Sequence, residues 1–188
     1  ERINQLIERL SRADQKLIVV HGQSGVGKSS LIQAGLIPSL TPITLDTREV
    51  IAILQQVYTN WTKHLGREML KELRKLGLAS LPDAVDSSPV ILDQLRKSVD
   101  QNLMVVLIFD QFEEFFFVHK EPAERKPFYE FLRQCLDIPY VKVILSLRED
   151  YLHYLLECND RLVNLDIIGN NILDKNILFH LGNFTRKE

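Results

Sequence analysis

Residues Gly22-Gln23-Ser24-Gly25-Val26-Gly27-Lys28-Ser29 satisfy the pattern G-x-x-x-x-G-K-[ST], and the sequence on either side decides the fold. The apolar run Leu17-Ile-Val-Val20 comes just before, and the helical pattern Ser29-Ser30-Leu-Ile-Gln-Ala-Gly-Leu36 just after. Strand, glycine loop and helix in that order form the setting in which the motif works. The glycines let backbone N–H groups turn inward around a polyphosphate, and the helix N-terminus adds partial positive charge. Lys28 is then placed to reach β- and γ-phosphates, and the Ser29 hydroxyl to take one position on Mg2+. Gly22 through Ser30 are therefore the candidate nucleotide-binding residues.

Outward from the loop, helical and strand patterns alternate. Ile3, Leu6, Ile7 and Leu10 have helical spacing, which predicts an amphipathic helix from residue 2 to about 13. The helix after the loop is expected to stop near Pro38. Val50 to Val57 reads as a second strand, and residues 60–77 as a helix with Trp61, Leu65, Met69, Leu70, Leu73 and Leu76 as its buried stripe. Leu78 to Pro89 reads as loop and Val90 to Val99 as helix. Met104 to Phe109 is wholly apolar, the mark of a strand buried on both faces. Phe128 to Cys135 reads as helix, Val141 to Leu147 as strand, and Ile177 to Leu181 as a last strand. The expected fold class is α/β: a three-layer P-loop NTPase domain over residues 1–188, with a five-stranded parallel sheet and helices on both faces.

A second motif ends the Met104 to Phe109 strand: Asp110-Gln-Phe-Glu113-Glu114. An acid at the carboxyl end of a buried parallel strand lies beside the nucleotide crevice. Asp110 can hold Mg2+ opposite Ser29, usually through a water. Glu113 or Glu114 can polarise the attacking water as general base. Spacing alone does not choose between them, with Glu113 preferred; the competing reading makes both solvated residues of a following helix. Phe115-Phe116-Phe117 reads as core or lid packing. A third motif, Val143-Ile-Leu-Ser-Leu-Arg148, puts Ser146 and Arg148 at another strand end, where an Arg can sense a γ-phosphate. The alternative is a surface Arg paired with Glu149 or Asp150. One strand lies in sequence between the loop strand and the Asp110 strand. This suits the P-loop ATPases in which an extra strand separates those two in the sheet. No Asn-Lys-x-Asp segment for guanine and no Leu-Ser-Gly-Gly-Gln signature occur.

Composition excludes several classes. Lys plus Arg number 23 and Asp plus Glu 25, a net charge of -2, so a nucleic-acid footprint over the domain is not expected. The longest strongly apolar runs are strand-length, well short of the roughly 18 residues of a membrane span. With no leader read ahead of the first helix, Cys135 and Cys158 predict structural thiols in a reducing cytoplasm, a disulfide or metal pair being the alternative. A helical pattern already running at Glu1 and another beginning at Glu188 predict a piece of a longer protein.

The set Gly-x-Ser-Gly-x-Gly-Lys-Ser-Ser-Leu-Ile-x-Ala-Gly-Leu-Ile-Pro, Asp110-Gln-Phe-Glu-Glu-Phe and Leu147-Arg-Glu-Asp-Tyr resembles the STAND NTPases. Within them it is most similar to the novel STAND group common in bacteria. The resemblance covers nearly the whole chain. It implies a signal-transducing ATPase switch in which an ATP/ADP-bound core couples an effector domain to a sensor region of the same longer chain. ADP would hold a closed form, and ATP exchange would open it and drive self-association. Several bacterial relatives act in antiviral defence or regulated cell death. The resemblance implies that Gly22 to Ser29 are the phosphate loop, Asp110 the Mg2+ acid, Glu113 or Glu114 the catalytic acid and Arg148 the sensor. Helical and winged-helix subdomains would follow residue 188. Two features depart from the family. Leu181-Gly-Asn183-Phe-Thr185 replaces its Gly-x-Pro turn, and the Gly-Arg-Glu-type segment before the first helix is absent or cut short at Glu1-Arg2. The alternatives are a DNA-associated initiator- or loader-type ATPase and a nucleotide-bound scaffold that never turns over. A nucleoside or sugar kinase would need an acceptor pocket that the sequence does not reveal.

Overall fold

The strand β4 (Leu103–Phe109) is buried at every position, as its unbroken apolar run requires, and the sheet is built around it. The computed structural model describes residues 1–78, 81–158 and 172–182. In chain order these form α1 (Arg2–Ser11), β1 (Leu17–Gly22), α2 (Lys28–Ser30), a π-helical segment (Leu31–Leu36), α3 (Ile37–Leu40), β2 (Thr44–Leu45) and β3 (Arg48–Gln55). Then follow α4 (Trp61–Lys75), α5 (Ser88–Asp100), β4, α6 (Glu113–Val118), α7 (Pro122–Asp137), β5 (Val141–Arg148), a 3-10 segment (Glu149–Cys158) and β6 (Leu178–His180).

The sheet order is β2-β3-β4-β5-β1-β6. It has six strands rather than the expected five, and it is not wholly parallel, because β2 runs antiparallel to β3. The extra strand is the short arm of a hairpin. Leu45 pairs with Arg48 around a two-residue turn in which Asp46 (φ 49°) and Thr47 (φ 64°) both have positive φ. Such turns favour Asn and Gly, and a β-branched Thr in that region is disfavoured, so the sequence carries little turn signal. The Asn102 side chain, donating to Thr47 O at 3.1 Å, helps hold the turn.

The strand separating β1 from β4 is β5, which pairs in parallel with both. β3, which lies between them in sequence, is placed outside β4. Every parallel strand alternates its side chains between two cores. On one face Val19, Ile53, Val105, Leu107, Val143 and Leu145 meet α4, α5 and α7. On the other, Ile18, Val20, Val106, Ile108 and Ile144 meet α1 and the helix after the loop. This is the three-layer arrangement with helices on both faces. The first face carries an aromatic cluster in which Phe128 packs on Trp61, Phe109, Phe112 and Phe115 at centroid distances of 4.7–5.2 Å. Phe115 and Phe116 belong to this core, whereas Phe117 is exposed.

Pro38 does not end the helix after the loop. The chain widens into the π-helical segment, where the Ile37 N–H donates to Ile32 O, and α3 then starts afresh. Pro38 falls in the first turn of α3, where a missing N–H breaks no bond inside that helix. Several other elements run longer than expected, notably α7, which begins at Pro122 behind a Glu121–Glu124 capping box. The helix foreseen toward Glu188 and the Leu181–Thr185 turn beyond Gly182 lie outside the described residues, as does the side chain of Cys158. Cys135 is a buried free thiol. No helix among the described residues is long and apolar enough to cross a membrane.

Gly66, inside α4, lies where the helix meets the loop ahead of α5: a Cβ there would stand 1.5 Å from Val85 O. Ala is the better helix former by about 1 kcal/mol, but the overlap is with backbone and cannot be relieved by a rotamer. Gly66→Ala is expected to lower unfolding free energy by about 2 kcal/mol or more in urea titration. A stabilised variant would contradict this packing.

Candidate functional site

The carboxyl ends of β1, β4 and β5 open into one cleft of about 370 Å³, lined by Ser24, Gly25 and Gly27 to Ser30 of the loop, by Asp110, Glu113 and Glu114, and by Ser146 and Arg148. The loop turns through Gly25 (φ 77°) and Gly27 (φ 93°), conformations that L side chains rarely adopt. Not every residue of the motif faces the cleft. The Val26 side chain packs into the core beneath, so only its backbone is available. Gly22 and Gln23 contribute carbonyls, which accept from Lys28 Nζ at 3.0 and 2.8 Å. Burial pulls the Lys28 ammonium below its ordinary pKa, while Glu113 opposes the shift.

Asp110 is completely buried, and its carboxylate is satisfied from four directions. Oδ1 accepts from Ser29 Oγ at 3.1 Å and from the Gln111 N–H at 3.0 Å. Oδ2 accepts from Gln33 Nε2 at 3.0 Å and Gln56 Nε2 at 3.1 Å. Its backbone is fixed as well: Asp110 N donates to Gln55 O, and Asp110 O accepts from Tyr58 OH at 2.7 Å. Burial, reinforced by Asp110, raises the Tyr58 phenol well above its ordinary value, so it stays a donor.

The two glutamates separate at once. Both stand in the first turn of α6, but Glu113 is buried and Glu114 is exposed. Glu113 Oε2 accepts the Arg148 backbone N–H at 3.2 Å, tying α6 to the end of β5. The Arg148 guanidinium pairs with Asp150 and lies 5.4 Å from the Tyr151 ring centroid. The pairing that the sequence offered as an alternative to sensing is thus present, while Arg148 also lines the cleft. Asp150 raises the Arg148 pKa and keeps it cationic. Arg148 Nε and Ser146 Oγ are shielded from solvent yet have no hydrogen-bond partner among the described residues. Unsatisfied polar atoms on a cleft wall are the pattern a polar ligand completes.

Sequence reasoning missed Gln33, Gln56 and Tyr58. Gln33 stands four residues after Ser29, the spacing that brings two helical side chains to one face, so a signal for it existed. Gln56 and Tyr58 follow β3, whose pairing with β4 no sequence pattern reveals.

Residues 1–172 match the family model described as Novel STAND NTPase 1. A search of curated proteins returned no match. Among solved structures, the Aeropyrum pernix ORC2 protein in its ADP form is 16% identical with a TM-score of 0.59, over 95% of this chain and 46% of that one. The A. pernix ORC1 protein in complex with DNA is 15% identical with a TM-score of 0.59, over 98% and 45%. A Walker-type ATPase of Pyrococcus abyssi is 15% identical with a TM-score of 0.60, over 99% and 53%. The chain thus spans about half the length of these structures, and at such identity the likeness is one of fold. By the match over most of its length, the chain belongs to the novel STAND NTPase 1 family.

The Asp110 contacts predict a stability effect separable from any activity. Asp110→Ala strands the Gln33 and Gln56 amides and the Gln111 N–H. It is expected to cost about 2–4 kcal/mol in denaturant titration without nucleotide. Asp110→Asn keeps an acceptor for Ser29 and Gln111, and the glutamine amides can turn to accept, so about half that loss is expected. Equal stability of all three proteins would refute the network.

Proposed function

We propose that this member of the novel STAND NTPase 1 family is an ATP-binding, slowly hydrolysing switch whose nucleotide state controls self-association and an attached effector. The observation that carries the reading is the single cleft in which Lys28, Ser29, Asp110, Glu113 and Arg148 converge, with Ser146 Oγ and Arg148 Nε left unsatisfied on its wall. The family match supports nucleotide chemistry, and the sheet order supports the P-loop ATPase branch in which a strand separates β1 from β4.

In this reading the loop amides and Lys28 bind the phosphates. Lys28 exchanges the Gly22 and Gln23 carbonyls for phosphate oxygens, a stronger charge-assisted contact. The Ser29 hydroxyl beside the Asp110 carboxylate is an oxygen-only pair that fits Mg2+, and these two residues would hold it. When bound, Mg2+ supplies charge neutralisation at the phosphates. Glu113 accepts the proton of the attacking water; its fixed contact with the Arg148 N–H positions the carboxylate. Arg148 leaves Asp150 for the γ-phosphate, and because Asp150 and Tyr151 open the 3-10 segment Glu149–Cys158, that exchange moves the segment. A ligand shifts a two-state element only by its differential contacts, and Arg148 makes such a contact with ATP but not ADP.

The family resemblance supports sensor and effector regions in a longer cytoplasmic chain, with helical and winged-helix subdomains after residue 188, and a role in antiviral defence or regulated cell death. The initiator-type alternative shares the sheet order, but the net charge of -2 gives this domain no electrostatic drive toward DNA.

Glu113→Gln should lower ATP turnover by about 100-fold or more with ATP affinity kept, whereas Glu114→Gln should change it little. Equal losses in both would remove Glu113 from its role, and no turnover in the wild type would favour the scaffold reading. For Arg148→Ala, equilibrium binding should show ADP affinity nearly unchanged and the ATP preference reduced about tenfold. Equal weakening of both nucleotides would contradict the sensor assignment.

A further inference from the structure

Outside the cleft, the described residues bring three metal-ligating side chains together at one place. His21, Glu149 and His180 each offer a ligand atom, and these atoms lie within 4.8 Å of one another. The register of the sheet brings the two histidines together. β1 and β6 run parallel with His21 opposite His180, so the two imidazoles emerge from the same face on neighbouring strands. Their ring centroids are 5.1 Å apart. On the other side of β1, His21 pairs with Leu147, and Glu149 follows two residues later, just past the end of β5. The Leu181 N–H donates to His21 O at 2.7 Å and locks the end of β6 onto β1.

The contacts within the cluster are incomplete. His180 Nε2 stands 3.8 Å from Glu149 Oε2, longer than a hydrogen bond. His21 Nδ1 is shielded from solvent with no partner among the described residues.

We propose that His21, Glu149 and His180 form a cation site for a borderline dication of the Zn2+ type, separate from the Ser29–Asp110 pair. Two imidazoles and one carboxylate suit Zn2+ and its first-row neighbours, while Mg2+ favours all-oxygen sites. Bond lengths of about 2.0–2.1 Å place tetrahedral ligand atoms about 3.4 Å apart, so the cluster must contract by up to roughly 1.4 Å. His180 is 60% exposed and Glu149 34%, which leaves both side chains room to turn inward while His21 stays fixed. A fourth ligand, water or another group, would complete a tetrahedral site. A cation there would tie the ends of three adjacent strands together one residue before Gly22, where the phosphate loop departs.

The test uses the full-length protein without a histidine tag, titrated with Co2+ in excess Mg2+ and read by its visible d–d absorption, with Zn2+ as competitor. The expected result is one equivalent of Co2+ bound with a tetrahedral spectrum and displaced by Zn2+. His180→Ala and Glu149→Gln should each weaken binding about tenfold or more with far-UV circular dichroism unchanged. Glu149→Gln is isosteric and carries the test should His180→Ala fail to fold. Absence of Co2+ and Zn2+ binding by the folded wild type would overturn the proposal. So would wild-type affinity in either folded variant.

Discussion

A carboxylate buried as fully as that of Asp110 must be met by donors, and this requirement organises the site. The donors come from four places: the start of the helix after the loop, its π-helical continuation, the end of β3 and the residue after Asp110 itself. The Asp110 side chain thereby links the helix after the loop to the end of β4, although β5 lies between β1 and β4. The π-helical turn belongs to the same arrangement, since Gln33 sits within it. Such turns recur at functional sites, where they re-aim a side chain at the expense of regular helix geometry.

A second constraint governs the cationic groups of the cleft, each of which is held by a protein partner. Lys28 rests on carbonyls of its own loop, Arg148 on Asp150 and the Tyr151 ring. Both are contacts that a phosphate oxygen can outcompete, because an anion satisfies a cation better than neutral acceptors or a half-exposed carboxylate. Glu113, in contrast, is fixed by the backbone at the end of β5 and need not move. The site therefore divides into acids held by the fold, Asp110 with Glu113, and two cationic arms that, in the proposed switch, would exchange their partners for phosphate oxygens.

Much of this was legible in the sequence because its determinants are local. The Gly25, Gly27, Lys28 and Ser29 spacing between an apolar run and a helical pattern specifies the loop, and the unbroken, β-rich apolar run of β4 reads as a strand covered on both faces. What escaped was set by tertiary context. Thr47 accepts positive φ against its own preference, so β2 went unseen. Pro38 is tolerated because the turn before it widens, a rearrangement with no composition signal. Glu113 and Glu114 are chemically identical neighbours, and only the orientation of α6 makes one buried and the other exposed. Gln56 and Tyr58 reach Asp110 through the pairing of β3 with β4, which spacing along the chain does not encode.

The most direct test of the nucleotide-switch account is the identity and turnover of nucleotide in the purified full-length protein. The protein is denatured, the released nucleotide is separated by chromatography, and ATP hydrolysis is followed beside Lys28→Ala. The account predicts tightly held adenine nucleotide and slow hydrolysis that disappears in Lys28→Ala. Neither bound nucleotide nor hydrolysis in the folded wild type would contradict it.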